Sequence, residues 1–376
     1  MIKSHPCGQR KRGKEHNTLI SRTIEELRSE LQSTQRKRRA PVFGVQKMKR
    51  RHLCVAVSPI ISSNLLNTLP YDQNSCYLDT ILVSLFHFYS TWATKHIWLC
   101  NIKNIHRTIK GNRDGNKLRL IAQDIHDALE CILFPINLKN NNSAILNNAT
   151  LNNEHFDQKR KLRKLFADFD KEYMRAYGIN WHGDDIIQWQ DAQNDPCDLI
   201  DLLYRVFDIP ADVPIKITFN GSSNLATIHS TIITLEHLKK AKNDNVALDI
   251  ADHVPTTDAF TIKRANMIYV KVMRIDRLFN KDNPDNYTDN KVSTKIRLHD
   301  VLKIGRTKLR LMSIVIHKGD AYGGHYTCFV RQHATLGGWL YFDDMVSSVR
   351  LIAKNIIELL EMPGVMENIV GCVFAR

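Results

Sequence analysis

The spacing of apolar residues changes once along this chain, and that change limits what the chain can fold into. Before roughly residue 210 the apolar positions recur at helical spacing. Cys76 to Ser90 is apolar, free of Gly and Pro, and suits a buried helix. Leu118, Ile121, Ile125, Leu129 and Leu133 keep a helical period over residues 118–134, and residues 156–177 and 195–207 read the same way. Beyond that point the pattern alternates. Met267–Arg274, Arg310–Ile316, His325–Arg331, Gly338–Phe342 and Ile369–Phe374 each read as strands bounded by turn residues. Helices first and strands later predict an α+β domain, with the helices gathered to one side of an antiparallel sheet.

The chain has 376 residues, 43% of them hydrophobic and 24% charged, which excludes a wholly disordered, collagenous or coiled-coil protein. Its best apolar run, Thr80–Tyr89, is about half the ~18–20 residues of a membrane span. Met1–Gly8 lacks the apolar core of a secretory signal. A soluble, intracellular protein without a membrane partner is expected. The eight cysteines contain no Cys-x-x-Cys pair, so they read as reduced thiols, and neither a metal nor another cofactor is expected.

Charge is unevenly placed. Residues 1–51 hold fifteen Lys/Arg against four Glu, a net of +11, and leave +3 for the other 325 residues. The clusters are Arg10–Lys14, Arg36–Arg39 and Lys47–Arg51, with Ile20, Ile24, Leu27 and Leu31 between them at the spacing of a short amphipathic helix. Residues 1–60 are therefore expected to form a basic, largely flexible arm, and 61–376 the folded domain. Such an arm suits phosphate-backbone binding or nuclear import, against the plainer reading of a solubilising tail. Asn140–Asn153, with seven Asn in fourteen residues, reads as a low-complexity surface loop. That asparagine use hints at an AT-rich genome, as in a large DNA virus or a protist.

Three distant segments carry chemistry. In Asn74-Ser-Cys-Tyr-Leu-Asp-Thr80 a cysteine stands where the polar turn Tyr71–Ser75 enters a helix. Unpaired N–H groups and the helix dipole favour a thiolate there, although most cysteines at helix starts only pack. In His317-Lys-Gly-Asp-Ala-Tyr-Gly-Gly-His-Tyr-Thr327, Gly323 and Gly324 allow close backbone approach just before His325 opens a strand. His317 reads as a solvent-facing turn residue, with shaping of this loop as the other reading. Trp339-Leu-Tyr-Phe-Asp-Asp344 ends an apolar strand in two carboxylates, and Asp343, 18 residues after His325, suits a hairpin that sets it beside the imidazole.

Cys76 with its flanks, Gly323-Gly-His-Tyr326 and Trp339–Asp344 resemble the Cys and His boxes of ubiquitin-specific proteases, papain-like cysteine peptidases that cleave ubiquitin. Asn74–Asp79 followed by Leu85-Phe86 is most similar to the cylindromatosis-type branch. Asp195–Leu203 resembles the family's acidic helix, Met267–Arg274 the strand before its palm hairpin, and Gly371–Arg376 its closing strand.

The resemblance implies a papain-like hand, with a helical thumb beginning at Cys76 and an antiparallel palm sheet holding the other groups. It implies Cys76 as nucleophile, His325 as general base, and Asp343 as its orienting partner, with Asp344 as the alternative. Many members carry Asn five residues before the cysteine, where this chain has Tyr71. The oxyanion hole is then left to the Cys76 N–H with Gln73, Asn74 or a backbone donor. Gly323 and Gly324 would border the groove for the modifier's tail.

The expected activity is hydrolysis of the bond after the C-terminal Gly-Gly of ubiquitin or a ubiquitin-like modifier. The alternatives are a weak or inactive protease-fold binding protein anchored to nucleic acid by its arm, and a processing peptidase for another Gly-Gly substrate. Location is expected in the nucleus or cytoplasm.

Overall fold

In this computed structural model the described residues are 69, 71–87, 97, 100–107, 112–133, 148–178, 189, 194–209, 215–219, 222–226, 230–253, 267–279, 287–304, 307–332, 338–346 and 349–376. All belong to one compact unit, Ser58–Leu133 with Leu146–Arg376. The basic arm, its expected amphipathic helix and the lead-in before Leu69 lie outside the described residues.

Four helices come first: α1 (Cys76–Phe86), α2 (Asn112–Leu133), α3 (Asn148–Tyr177) and α4 (Pro196–Val206). α1 is buried along all eleven residues. Nothing in it resembles an amphipathic surface helix, because neighbours cover every face: α4 on one side, β10 and β11 below. α2 and α3 pack along each other, with Leu118, Ala122, Ile125 and Leu129 buried on one and Leu162, Phe166 and Phe169 on the other. α3 starts earlier than its apolar period suggests, so residues 148–153 of the asparagine-rich stretch are helical rather than loop. Asp195 caps α4, its side chain accepting the Cys197 N–H at 2.8 Å, and Pro196 supplies a first helical residue that needs no donor.

The remaining elements are β1 (Ile215–Phe219), β2 (Ser222–Ala226), β3 (Ser230–Ile233), α5 (Leu235–Asn243), β4 (Leu248–Asp249), β5 (Met267–Val272), β6 (Ile275–Phe279), β7 (Tyr287–Lys291), β8 (Ile296–Arg297), β9 (Val301–Ile304), β10 (Thr307–Gly319), β11 (Gly324–Arg331), β12 (Trp339–Phe342), β13 (Arg350–Ala353), α6 (Ile356–Glu361), α7 (Val365–Asn368) and β14 (Ile369–Ala375). Eight strands form one sheet in the order β13-β12-β11-β10-β14-β5-β3, with β9 also paired to β10. The expected antiparallel sheet needs one correction: β3 and β5 run parallel. A parallel pair needs a long crossover, which the stretch holding α5 supplies.

β10 organises the sheet. Leu309 and Leu311 face the same apolar cluster as Ile314 and Ile316, although strict alternation would put odd and even positions on opposite faces. An irregularity between Leu311 and Ser313 in the pairing with β14 inserts the extra residue and flips the parity. Arg274, expected inside a strand, lies beyond β5 and is 2% exposed. Its guanidinium donates to the carbonyls of Ile369, Val292, Thr294 and Met366, which explains how a buried cation is tolerated there. His317 is likewise no solvent-facing turn residue. It is buried in β10, where its ring packs 4.8 Å from that of Tyr326.

Candidate active site

The turn Tyr71–Ser75 delivers the chain into α1, whose first residue is Cys76, 2% exposed. Ser75, at the cap position, does not cap the helix with its side chain. Its hydroxyl instead accepts the Asp72 N–H at 3.0 Å and donates to Asp79 Oδ2 at 2.6 Å. Gln73 and Asn74 both sit in left-handed backbone, φ 26° and 61°. For residues with a side chain that conformation is strained and needs support from its surroundings.

The support comes from α3. Arg163 Nη1 donates to the Gln73 carbonyl at 2.7 Å and Nη2 to Asp72 Oδ2 at 3.2 Å. Arg160 reaches both Asp72 oxygens, at 3.1 and 3.3 Å. Lys159, fully buried, donates to Asp79 Oδ2 at 2.7 Å. Burial raises the Asp79 carboxyl well above its ordinary pKa while Lys159 pulls it down.

The strand side supplies the other groups. Cys328 of β11 lies opposite Phe342 of β12, so this register brings Asp343, just past β12, towards His325 near the start of β11. His325 Nε2 is 2.8 Å from Asp343 Oδ1 and 3.2 Å from Asp344 Oδ1. One N–H aims at one acceptor, so the shorter contact makes Asp343 the hydrogen-bond partner and leaves Asp344 to act through its charge.

Burial alone would lower the His325 pKa. Polar contacts with Asp344, the Cys76 thiol and Asp343 outweigh it and push the imidazole up to about 11. Asp343 is itself fixed by the Tyr341 hydroxyl, which donates to Oδ2 at 2.8 Å, and by the Met345 N–H at 3.1 Å. Burial works to raise the Asp343 carboxyl, but His325, Tyr341 and Met345 hold it below its ordinary value. Lys318 hydrogen-bonds the Tyr341 hydroxyl and lies 4.7 Å from its ring centroid.

Cys76, His325, Asp343 and Asp344 are thus brought together from α1, β11 and the end of β12. Tyr71, at the position where many relatives have Asn, joins them: its ring meets that of His325 edge-on at 6.1 Å, and its N–H donates to the Asp344 carbonyl at 3.1 Å. The Tyr71 hydroxyl accepts the Asn74 N–H at 3.1 Å, so that amide is engaged. Within Tyr71–Ser75, the Gln73 N–H has no partner among the described residues.

Gly324 has to be glycine, since a Cβ there would come within 2.4 Å of His317 Nε2 and 2.3 Å of the Lys318 carbonyl. A Cβ on Gly323 would meet nothing within 4 Å. Cys328 and Cys372 are buried in strands, which pushes both thiols up. Two groups among the described residues bring ligand-type atoms within 4.8 Å of one another. His325, Asp343 and Asp344 already engage one another, and His126, Asp127 and Glu130 are ordinary neighbours on one helix face.

Reading the sequence missed Ser75, Asp79, Lys159, Arg163 and Tyr341. A signal existed for some of them. Asp79 interrupts an otherwise apolar helix, and Lys159 and Arg163 stand beside Leu162 and Phe166 on the buried side of α3.

Among curated protein sequences none matches the chain. Similar solved structures include three of the SAGA DUB module. The SAGA DUB module Ubp8/Sgf11/Sus1/Sgf73 bound to monoubiquitin is 14% identical, with 86% of this chain and 72% of that one covered and a TM-score of 0.48. The same module bound to ubiquitin aldehyde is 13% identical, covering 83% and 70%, with a TM-score of 0.47. A yeast SAGA DUB module with an Sgf73 mutant is 13% identical, covering 82% and 66%, with a TM-score of 0.40. Residues 71–355, about three quarters of the chain and the whole span from the Cys76 turn to β13, match the ubiquitin carboxyl-terminal hydrolase family. The chain therefore belongs to the ubiquitin carboxyl-terminal hydrolase family.

Proposed function

We propose that this chain is an active thiol isopeptidase that cleaves after the C-terminal Gly-Gly of ubiquitin or a ubiquitin-like modifier. The observation that carries the reading is the convergence of Cys76, His325 and Asp343 at the start of a buried helix. In this reading His325 takes the Cys76 thiol proton as Sγ attacks the carbonyl of the last glycine, and passes it to the lysine amine as the C–N bond breaks, leaving a thioester. His325 then takes a proton from water, which attacks the thioester and frees the carboxylate product. Asp343 occupies Nε2, so Nδ1 is the nitrogen left to serve the thiol, and the tautomer is set without proton uptake by the aspartate. The closely covered thiol favours a thin, side-chain-free tail. The Cys76 flanks Asn74–Asp79 with Leu85 and Phe86 support placement in the cylindromatosis-type branch.

Turnover of a ubiquitin C-terminal fluorogenic amide, together with adduct formation by ubiquitin carrying a C-terminal thiol-reactive group, tests the proposal. A covalent adduct on Cys76 is expected. No turnover and no adduct would move the chain to the binding-protein reading, and turnover of another Gly-Gly substrate alone would make it a processing peptidase. Gly323→Ala probes the tail groove: among the described residues no atom lies within 4 Å of the new methyl. A several-fold rise in KM with unchanged thermal stability is the expected result, and an unchanged KM removes Gly323 from the groove.

From charge alone, residues 1–60 are proposed as an appended arm whose residues 1–51 bind nucleic-acid phosphates and direct the protein to the nucleus. Gel shifts on full-length protein and on a chain lacking 1–51, at two salt concentrations, check this. Binding that weakens steeply with salt and disappears with the deletion is expected, and equal binding by both proteins refutes it.

A further inference from the structure

We propose that Lys159 and Arg163 of α3 are positioning residues for catalysis: together they hold Tyr71–Ser75 in the strained shape that presents an oxyanion donor beside Cys76. The inference rests on the peptidase reading above and extends it to residues eighty to ninety positions away in sequence.

Three observations lead to it. A buried face of a helix is ordinarily apolar, yet α3 turns Lys159 and Arg163, 0% and 2% exposed, towards the nucleophile turn. Both cations end on groups that define that turn. Lys159 meets Asp79 Oδ2, which also receives the Ser75 hydroxyl, and that hydroxyl accepts the Asp72 N–H. Arg163 straddles the bend, with one nitrogen on Asp72 and the other on the Gln73 carbonyl. The bend contains two successive left-handed residues that are not glycine, a conformation that relaxes unless its surroundings over-determine it.

The accounting of amides supplies the function. The N–H groups of Tyr71, Asp72, Asn74 and Ser75 are taken by the Asp344 carbonyl, Ser75 Oγ, the Tyr71 hydroxyl and the Asp72 carbonyl. The Gln73 N–H has no partner among the described residues, and its own residue's carbonyl is the atom Arg163 grips. With Tyr71 in place of a donor side chain, this amide is the one the turn offers to a developing oxyanion. Donors of this kind act on the transition state and leave ground-state binding alone. Arg163 and Lys159 touch neither substrate nor thiol in this account; they act through the turn.

The test uses the full chain and the ubiquitin fluorogenic amide. In the paired variant Lys159→Met/Asp79→Leu the buried ion pair is replaced by apolar groups of similar volume, an exchange that often leaves stability intact. Arg163→Lys keeps the charge and loses the fork that spans Asp72 and Gln73. Arg175→Ala, an exposed cation on the same helix, is the control.

The expected result is a kcat at least 30-fold lower in the paired variant and about 10-fold lower in Arg163→Lys. KM and the rate of iodoacetamide alkylation at Cys76 should stay within threefold, and the control should match wild type. Folded variants with wild-type kcat, or with the loss lying in KM, overturn the inference while an active wild type leaves the peptidase reading standing. If wild type itself neither turns over nor forms the ubiquitin adduct, the functional reading fails and this inference falls with it.

Discussion

The two sides of the site are held by different physics. His325 and Asp343 sit on neighbouring strands, and the β11–β12 backbone ladder sets their separation before any side chain contributes. The Cys76 side has no such ladder. Its turn is held by Arg160, Arg163 and Lys159, cations from a helix whose contacts with it span 80 to 91 positions. A backbone register tolerates many side-chain changes, whereas a buried ionic network fails when one member is removed. Substitution on the strand side should therefore lower kcat while the fold stays intact, whereas removing one partner on the helix side should cost stability as well.

Cys76→Ala should give the largest effect, a fall in turnover of at least about 10⁴-fold with the fold intact, since the nucleophile has no substitute. His325→Ala should approach it, because the two act as one unit. Either variant with near-normal turnover of the fluorogenic amide would remove its residue from the site.

Asp79→Ala sharpens the comparison through stability. It leaves Lys159 buried without its carboxylate and should cost about 3–5 kcal/mol in urea unfolding. A loss below 1 kcal/mol would mean that Lys159 reaches water or another acceptor. On the strand side, Asp343→Asn should lower kcat by roughly 10²- to 10³-fold, and Asp344→Asn by less. The reverse order would transfer the orienting role to Asp344.

The pH dependence follows from the raised His325 pKa. Its native value of about 11 lies above the ordinary imidazole value near 6.5. The contribution to stability is therefore complete below about pH 6.5 and declines as pH rises towards 11. The stability lead of wild type over Asp343→Asn should shrink across that window, and a lead that grows with pH would contradict the assignment. Tyr341→Phe should have the smallest effect. It removes one hydrogen bond to Asp343, about 1 kcal/mol, so kcat should fall roughly fivefold without a change in KM. No change would mean that Met345 alone orients the carboxylate.

The same contrast explains how much was legible beforehand. Strand periodicity announced β10, β11, β12 and β14, because that signal is local. The parallel β3–β5 pair, the early start of α3 and the burial of His317 were not legible, since each depends on what packs alongside. His317 looked like a turn residue beside Lys318 and Gly319, but β10 runs on through it to Gly319.

Local spacing thus determined which segments are helix or strand, because hydrophobic period and turn chemistry act over a few neighbouring residues. Tertiary structure alone decided that Asp343 rather than Asp344 takes the imidazole N–H, that Tyr71 engages the Asn74 amide, and that Lys159 and Arg163 brace the nucleophile turn. Those outcomes depend on ångström distances between groups far apart in the chain, which no periodicity encodes.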